Sequence, residues 1–380
     1  MAGQTTYLSP NGQNRTAGSG PATRMMVATL KGVAVLERDD RDAPWELTGR
    51  TLENRHVGSL LFEPRSGKLF AGAHADGGVW VSDDGDGRSW RPLGNGIDRP
   101  HIYCLSARYG DGVTLFAGTS PAGLYRSDDL GESWTDVKGI RDVPDTDKWT
   151  FPPPPHIPHV KNVVFHPHRR DTIFVLVEQG ALLKSVDDGA SWTELSGYLK
   201  PEDVAYRDMH RLLLHPDDPD IFFLATGEGL YRSDDDGATW SHPVRRGDRM
   251  GYPDFLFTDP DDSETLYMGG SFLNPSQWYK AGIAESTVLR STDRGETWTE
   301  QAAGMPVPMV GAFEAMTLHS WPGGMMLAVG TATGEVYVSE DRTRSWTRID
   351  DNVTPVSKDD HHFPFMSEEA RRAAMAVRGL

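Results

Sequence analysis

Residues 127–134 read Ser127-Asp-Asp-Leu-Gly-Glu-Ser-Trp134, and this eight-residue phrase recurs with small changes along the chain. Three close copies end at Trp192, Trp240 and Trp298, and more altered copies end at Trp45, Trp90 and Trp346. Successive tryptophans of the series lie about 45 to 60 residues apart. Self-similarity over such a distance indicates stacked supersecondary units, so the repeat decides the fold.

Each copy has the composition of a tight turn between two strands. Asp and Ser side chains bond the turn's own backbone, Gly supplies a positive φ, and Trp begins the next strand with a large apolar surface. The carboxylates of the phrase are therefore predicted to be turn residues rather than metal ligands. Three apolar strands precede each phrase, as in 211–215, 221–225 and 229–233. Four strands per repeat and seven repeats predict an all-β, seven-bladed β-propeller with four antiparallel strands per blade.

The phrase resembles the Asp-box, or BNR repeat, of sialidase-like propellers, and the match covers residues 25–350. The resemblance implies the propeller fold, but such boxes are similar to those of glycosidases, sorting receptors and assembly factors alike. Sialidases carry a Phe/Tyr-Arg-Ile-Pro phrase near the start, which this chain lacks. Only Arg55 and Arg211 lie at the starts of predicted inner strands, so the three-arginine carboxylate site of sialidases is not predicted.

The repeats predict three segments: a flexible N-terminal tail over 1–24, a single β-propeller domain over 25–366 and a short C-terminal helix over 367–380. The first blade lacks its innermost strand in this reading. Residues 361–366 follow the last repeat, and we expect them to return to the first blade. The ring would then be closed by a C-terminal strand, which removes both open edges.

Charge and composition limit the partners. The net charge of −17 argues against nucleic acid or an anionic membrane as a partner. A single cysteine, Cys104, excludes a framework of internal disulfides. No apolar run approaches the ~20 residues that span a bilayer, and residues 1–24 lack the apolar core of a signal peptide. These features predict a cytoplasmic protein and leave the oligomeric state open. A small-molecule substrate is predicted from the histidines described next.

Aligning the inner strands on the bend that follows them places a histidine near the mouth of the channel in several blades. His56, His101 and His159 share one register, Tyr252 occupies it in the sixth blade, and His210 lies two residues beyond it in the fifth. The returning C-terminal strand would add two more histidines. Imidazoles from separate strands suit copper, iron or zinc. The predicted metal ligands are His56, His101, His159, His210, His361 and His362.

The arrangement is similar to propeller metalloenzymes in which rings of histidines hold copper or iron. That similarity implies a transition metal ion as cofactor, copper or iron before zinc. It also implies a metal-dependent enzyme that oxidises or oxygenates a small molecule. Glu314 would act as general base or as acceptor for a ligand imidazole, and Tyr252 would donate a proton. The alternatives are a glycoside hydrolase or polysaccharide lyase of the BNR-propeller type, and a non-catalytic binding propeller whose histidines only line a wet channel.

Overall fold

The computed structural model describes residues 4–75, 77–150, 156–198, 207–350 and 352–377. It contains seven sheets arranged as blades, which confirms the predicted seven-bladed propeller with four mainly antiparallel strands per blade. From the innermost strand outward, the blades are Thr5–Leu8, Arg24–Thr29, Gly32–Glu37 and Glu46–Thr51 (blade 1); Val57–Glu63, Lys68–Ala73, Gly78–Ser82 and Arg91–Leu93 (blade 2); His101–Tyr109, Val113–Ser120, Gly123–Ser127 and Thr135–Asp136 (blade 3); His159–Phe165, Ile173–Glu178, Ala181–Ser185 and Thr193–Glu194 (blade 4); Met209–Leu214, Phe222–Thr226, Gly229–Ser233 and Ser241–Arg245 (blade 5); Tyr252–Thr258, Leu266–Ser271, Ser286–Ser291 and Thr299–Glu300 (blade 6); and Phe313–Trp321, Gly324–Thr331, Val336–Ser339 and Thr347–Asp350 (blade 7).

The repeated phrase forms the turn between the third and fourth strands of a blade. In blade 3, Ser127 Oγ accepts from the Gly131 amide at 2.8 Å and donates to Asp129 Oδ1 at 2.8 Å. Asp129 Oδ1 also accepts from the Ser133 amide at 2.9 Å, and Gly131 has φ +89°. Because these bonds satisfy the carboxylate within its own turn, the box aspartates stabilise turns, as predicted. We call the side of the ring that carries these turns the box face and the opposite side the mouth face.

The box tryptophans pack between a blade and the one before it. Trp240 of blade 5 joins a buried cluster with Phe174 and Leu182 of blade 4, and its indole nitrogen donates to the Gly237 carbonyl at 2.9 Å. Trp192 of blade 4 lies in the corresponding cluster with blade 3. Each box therefore has two structural roles. It turns the chain, and its tryptophan packs neighbouring blades against each other.

Replacement of Trp240 by Ala should therefore lower the free energy of unfolding by about 3 to 5 kcal/mol, since a large cavity would open between two blades. Chemical denaturation followed by circular dichroism measures the change. The control is Tyr279→Ala, because Tyr279 is 48% exposed and its loss should change stability by about 0.5 kcal/mol or less. A loss below about 1 kcal/mol for Trp240→Ala would mean that blade packing does not depend on this ring.

The ring is closed by the N-terminus, not by the C-terminal strand that we expected. Thr5–Leu8 pairs in parallel with Arg24–Thr29 and is the innermost strand of blade 1. A further strand, Arg15–Ala17, pairs in parallel with Phe313–Trp321 of blade 7. The described part of the predicted flexible tail therefore carries two strands. Residues 361–366 include instead a 3₁₀ helix, Phe363–Phe365, where Pro364 has no amide to donate to a ladder.

Residues 5–17, the N-terminal plug, run into the channel from the box face and back. The Asn11 and Gln13 amides donate to the Gly58 and Leu60 carbonyls of blade 2 at 3.0 and 2.8 Å. Arg15 Nη2 donates to the Thr258 carbonyl of blade 6 at 2.7 Å. The plug thereby contacts opposite sides of the ring and fills the channel below the mouth.

Residues 352–366, the C-terminal cap, lie across the mouth face. The Val356 amide donates to the Thr331 carbonyl at 3.1 Å, and the Pro355 carbonyl accepts from the Leu30 amide at 3.1 Å. Further along, the Lys358 amide donates to Glu314 Oε2 at 2.8 Å. The cap therefore bridges blades 1 and 7 and reaches into the channel.

Four short helices complete the described residues. A helix over Pro275–Ala281 starts with a capping box at Asn274, and its Trp278 packs against Phe365 of the cap. Two 3₁₀ helices, Lys138–Arg141 and Thr146–Lys148, lie between blades 3 and 4, and the proline run that follows them lies outside the described residues. The C-terminal helix is Glu368–Val377. None of the helices in the described ranges is long and apolar enough to cross a membrane.

Candidate functional site

A buried group of charged side chains lies in the channel between the plug and the cap, and we call it the acid–base centre. Blades 4 to 7 supply most of it from the mouth-face ends of their inner strands, and the cap supplies one lysine. Its members are each less than 10% exposed: Lys161, Glu178, Asp208, His210, Asp254, Glu314 and Lys358. Burial of so many ionisable groups is costly unless each finds a partner of opposite charge.

A repeated local irregularity places these residues. The pairing between the first and second strands slips by one residue near the mouth in blades 2 to 7. A β-bulge leaves one residue unpaired and redirects its side chain, and bulges are common beside active sites. The bulged residues are Gly58, Tyr103, Lys161, His210, Asp254 and Glu314. Four of the seven members of the centre, Lys161, His210, Asp254 and Glu314, thus lie at bulges.

Opposite charges alternate across the centre. Lys161 Nζ lies 2.6 Å from Glu178 Oε1 and 3.5 Å from Asp254 Oδ1. Lys358 Nζ lies 2.8 Å from Asp254 Oδ2 and 3.9 Å from Glu314 Oε1. The two lysines therefore link three carboxylates that come from three different blades.

These contacts fix the charge states. Burial by itself raises the pKa of the Glu178 carboxyl, but Lys161 and His159 outweigh it and hold that pKa well below the usual range. For Asp254, Lys358 and His210 outweigh burial in the same way and lower the pKa. Burial lowers the pKa of Lys161, yet Glu178 and Asp254 raise it overall. Glu178 and Asp254 are consequently ionised, and Lys161 is charged, at neutral pH.

The predicted metal-binding histidines do not meet at one point. His56 and His101 lie in a stack of rings, with His74 between them at centroid distances of 4.2 and 4.6 Å. His159 contacts Glu178, and its ring stacks on Tyr103 at 3.7 Å. Among the described residues, no three of the predicted histidines have ring nitrogens close enough to share a metal ion.

His74 and His101 are neutral rings beside the charged centre. Burial and the neighbouring imidazoles keep the pKa of His74 well below its ordinary value, and burial followed by His159 and His56 lowers the pKa of His101 to about 4. We did not predict His74, because it lies after the second strand and not on an inner strand. A histidine directly after the second strand of blade 2 was the only signal for it.

The other predicted ligands are dispersed. His361 Nδ1 lies 3.1 Å from Glu314 Oε1, and this carboxylate outweighs burial and raises the pKa of His361. His362 Nδ1 lies 3.3 Å from the Asp359 carbonyl oxygen. His210 is the one predicted ligand that lies in a group able to hold a metal ion among the described residues. That group is Glu178, Asp208 and His210, whose ligand atoms lie within 4.8 Å of one another.

The two residues predicted to be catalytic occupy different positions in the centre. The Tyr252 hydroxyl donates to Asp208 Oδ2 at 3.2 Å, and burial followed by Asp208 raises the pKa of Tyr252 well above its ordinary value. Glu314 is fully buried and bonded to the backbone of Lys358. Tyr252 can therefore donate a hydrogen bond at the edge of the centre, whereas Glu314 stabilises the cap.

The curated proteins that match this chain are all xyloglucanases. The chain is 28% identical over 286 residues to the xyloglucanase Xgh74A of Acetivibrio thermocellus, which covers 66% of this chain and 32% of that protein. It is 27% identical over 308 residues to a xyloglucanase of a Paenibacillus species, covering 73% of this chain and 28% of that protein. The chain thus spans about a third of the length of these relatives.

Other similarities concern the fold. A family model described as sortilin, neurotensin receptor 3, matches residues 228–374. An ancestral GH74 enzyme superposes with a TM-score of 0.58 at 14% identity, covering 77% of this chain and 38% of that one. YCF48 bound to a D1 peptide superposes with a TM-score of 0.51 at 14% identity, covering 85% of this chain and 92% of that one. These structures share the propeller fold.

The comparisons correct the functional expectation. Metal-dependent oxidation or oxygenation was wrong, because the curated relatives are xyloglucanases, which agrees with the glycoside hydrolase alternative. The comparisons support a propeller with GH74, YCF48 and Vps10-type neighbours. They do not single out the sialidase-like group, and they do not support a propeller metalloenzyme.

Proposed function

We propose that the protein is a glycoside hydrolase, with the acid–base centre as its catalytic region and a glucan as its substrate. The observation that carries the proposal is the similarity to xyloglucanases over two thirds of the chain. Because the chain spans only about a third of those relatives, the particular polysaccharide is part of the proposal rather than inherited from them.

The chemistry of the centre supports the proposal. Glycoside hydrolysis needs a carboxyl group that protonates the leaving oxygen and negative charge near the developing oxocarbenium ion. Such an enzyme places its carboxyl groups in surroundings that differ in charge. Glu178 and Asp254 are held ionised by lysines. Asp208 is different, since its partner is the hydroxyl of Tyr252.

Asp208 is the carboxyl group that we assign to proton transfer. Its side chain is 10% exposed, against 4% for Glu178 and Asp254 and 0% for Glu314. It is thus the most accessible carboxylate of the centre. The Tyr252 hydroxyl orients Oδ2, and the ionised carboxylates behind it would stabilise positive charge on the anomeric carbon.

Asp208→Asn should lower the rate of reducing-end release from xyloglucan or a related β-glucan by about 10²- to 10⁴-fold, because the amide cannot transfer the proton. The control is Asp293→Asn, which alters a box turn on the opposite face. Both variants should unfold cooperatively. Full activity of Asp208→Asn would exclude this role, and products that carry a new carbon–carbon double bond would indicate a lyase. If the folded parent releases no sugar from any glucan tested, the proposed function is wrong.

A further inference from the structure

His210 has an unusual environment. It is fully buried, and its Nδ1 lies 2.6 Å from the Pro253 carbonyl oxygen. A carbonyl oxygen can only accept, so Nδ1 carries a proton; as a metal ligand the ring is neutral, and Nε2 then presents a lone pair. Nε2 has no hydrogen-bond partner among the described residues.

That lone pair faces two carboxylates. His210 Nε2 lies 3.3 Å from Asp208 Oδ1 and 4.0 Å from Glu178 Oε1. Three electron-rich atoms pointing at one gap repel each other unless a positive charge lies between them. No lysine or arginine in the described ranges lies within ion-pair distance of Asp208. Lys161 supplies positive charge on the Glu178 side, and a metal ion in the gap would supply it between Asp208 and His210.

We propose that Glu178, Asp208 and His210 bind a divalent first-row metal ion such as Zn²⁺ or Mn²⁺. Bonds of about 2.0 to 2.2 Å to each ligand allow two ligand atoms to lie up to about 4.4 Å apart. The measured separations of 3.3 and 4.0 Å from Nε2 fall within that limit. One imidazole and two carboxylates suit such ions, whereas Ca²⁺ takes six to eight oxygen ligands.

The surroundings orient all three ligands, as in functional metal sites. The Pro253 carbonyl fixes the tautomer of His210, and the Tyr252 hydroxyl holds Asp208 through the oxygen that faces away from the gap. Gly227 leaves room for Asp208, since a Cβ atom there would lie 2.5 Å from Oδ2.

Two charged side chains, those of Lys161 and Asp254, also contact residues of the site. Lys161 Nζ lies 2.6 Å from Glu178 Oε1, and a carboxylate oxygen with two lone pairs can accept this bond while it binds a metal. Asp254 Oδ1 lies 3.7 Å from His210 Nδ1, which reinforces the proton at that nitrogen. Neither contact fills the gap.

The site goes beyond glycoside hydrolysis and involves no redox step. The same ionised carboxylates that would stabilise an oxocarbenium ion also attract a metal, so binding is measured on the protein alone and hydrolysis is assayed separately. A parent protein that binds the metal ion but releases no sugar would contradict only the proposed function, and one that releases sugar but binds no metal ion would contradict only the metal site.

The test is calorimetric titration of the full-length, untagged, chelator-treated protein with Zn²⁺, Mn²⁺ and Ca²⁺. We expect about one equivalent of Zn²⁺ or Mn²⁺ to bind, and binding at least about tenfold weaker in Asp208→Asn and in His210→Gln. His215→Gln is the matched control, since His215 is equally buried but its Nε2 lies 3.1 Å from the Ser263 carbonyl oxygen on the box face.

Two results would overturn the site. One is a parent protein that binds neither Zn²⁺ nor Mn²⁺ more tightly than about 1 mM. The other is unchanged affinity in both folded site variants. In either case His210 is a protonated imidazolium ion that neutralises the two carboxylates itself. The parent titration decides the question even if a variant fails to fold.

Discussion

A protein that lacks residues 1–22 is expected to aggregate, with a soluble yield below about a tenth of the parent's. The deletion removes the inner strand Thr5–Leu8 and exposes the hydrogen-bonding edge of Arg24–Thr29. It also removes Tyr7 and Leu8, which are 3% and 0% exposed, and leaves the channel without its plug. Soluble yield, size-exclusion chromatography and thermal unfolding measure the effect.

The matched control is removal of residues 1–3, which keeps Gln4, whose carbonyl accepts from the Thr23 and Arg24 amides. This shorter deletion should keep the parent's yield and melting temperature. Adding a synthetic peptide of residues 4–22 during refolding should rescue the long deletion in part, because the strand can pair in trans. A monomeric long deletion with the parent's melting temperature would show that the plug is dispensable for closure.

Lys358→Met should lower the free energy of unfolding by about 3 to 5 kcal/mol. Lys358 is 1% exposed, and its ammonium group lies 2.8 Å from Asp254 Oδ2 and 3.9 Å from Glu314 Oε1. Methionine keeps the side-chain volume but leaves two buried carboxylates with less positive charge. Urea denaturation of the parent and the variant measures the difference.

Two further variants show whether charge is the cause. Adding Asp254→Asn to Lys358→Met should recover part of the lost stability, since one uncompensated carboxylate is removed. Lys148→Met should change stability by about 1 kcal/mol or less, because its ion pair with Asp145 is 59% exposed on the lysine side. Equal losses in both lysine variants would assign the effect to side-chain packing.

The blades could be predicted from the sequence because each Asp-box contains the residues that a tight turn requires. The strand that closes the ring could not be predicted. Thr5–Leu8 is four residues long and is surrounded by residues typical of loops. Its pairing with Arg24–Thr29 is parallel, so no hairpin turn marks it. A strand of this kind, which no nearby residue marks, finds its partner only through contacts in the completed ring.

The sequence predicted candidate residues at the mouth of the channel, where the acid–base centre lies, but it named few members of the centre. Alignment on the inner-strand bend placed His159, His210 and Tyr252 at the mouth. It missed Lys161 and Asp254, which lie two residues further on in their strands. Strand alternation places both on the same face as His159 and Tyr252, but the metal hypothesis considered imidazoles, and the β-bulges at Lys161 and Asp254 have no signature in the sequence. Lys358 was also not predicted, because the C-terminal cap that carries it is held by loop contacts rather than by strand pairing.

The N-terminal plug also sets an order of events during synthesis. Thr16 Oγ1 bonds His319 Nδ1 across 303 residues of sequence. Translation proceeds at about 5 to 20 residues per second, so the partner of the plug in blade 7 is made roughly 15 to 60 seconds after the plug itself. During that time the first six blades form an open arc with an unpaired strand at its end. We expect the open edges of this arc to favour aggregation until the last blade is made, so folding finishes only after translation is nearly complete.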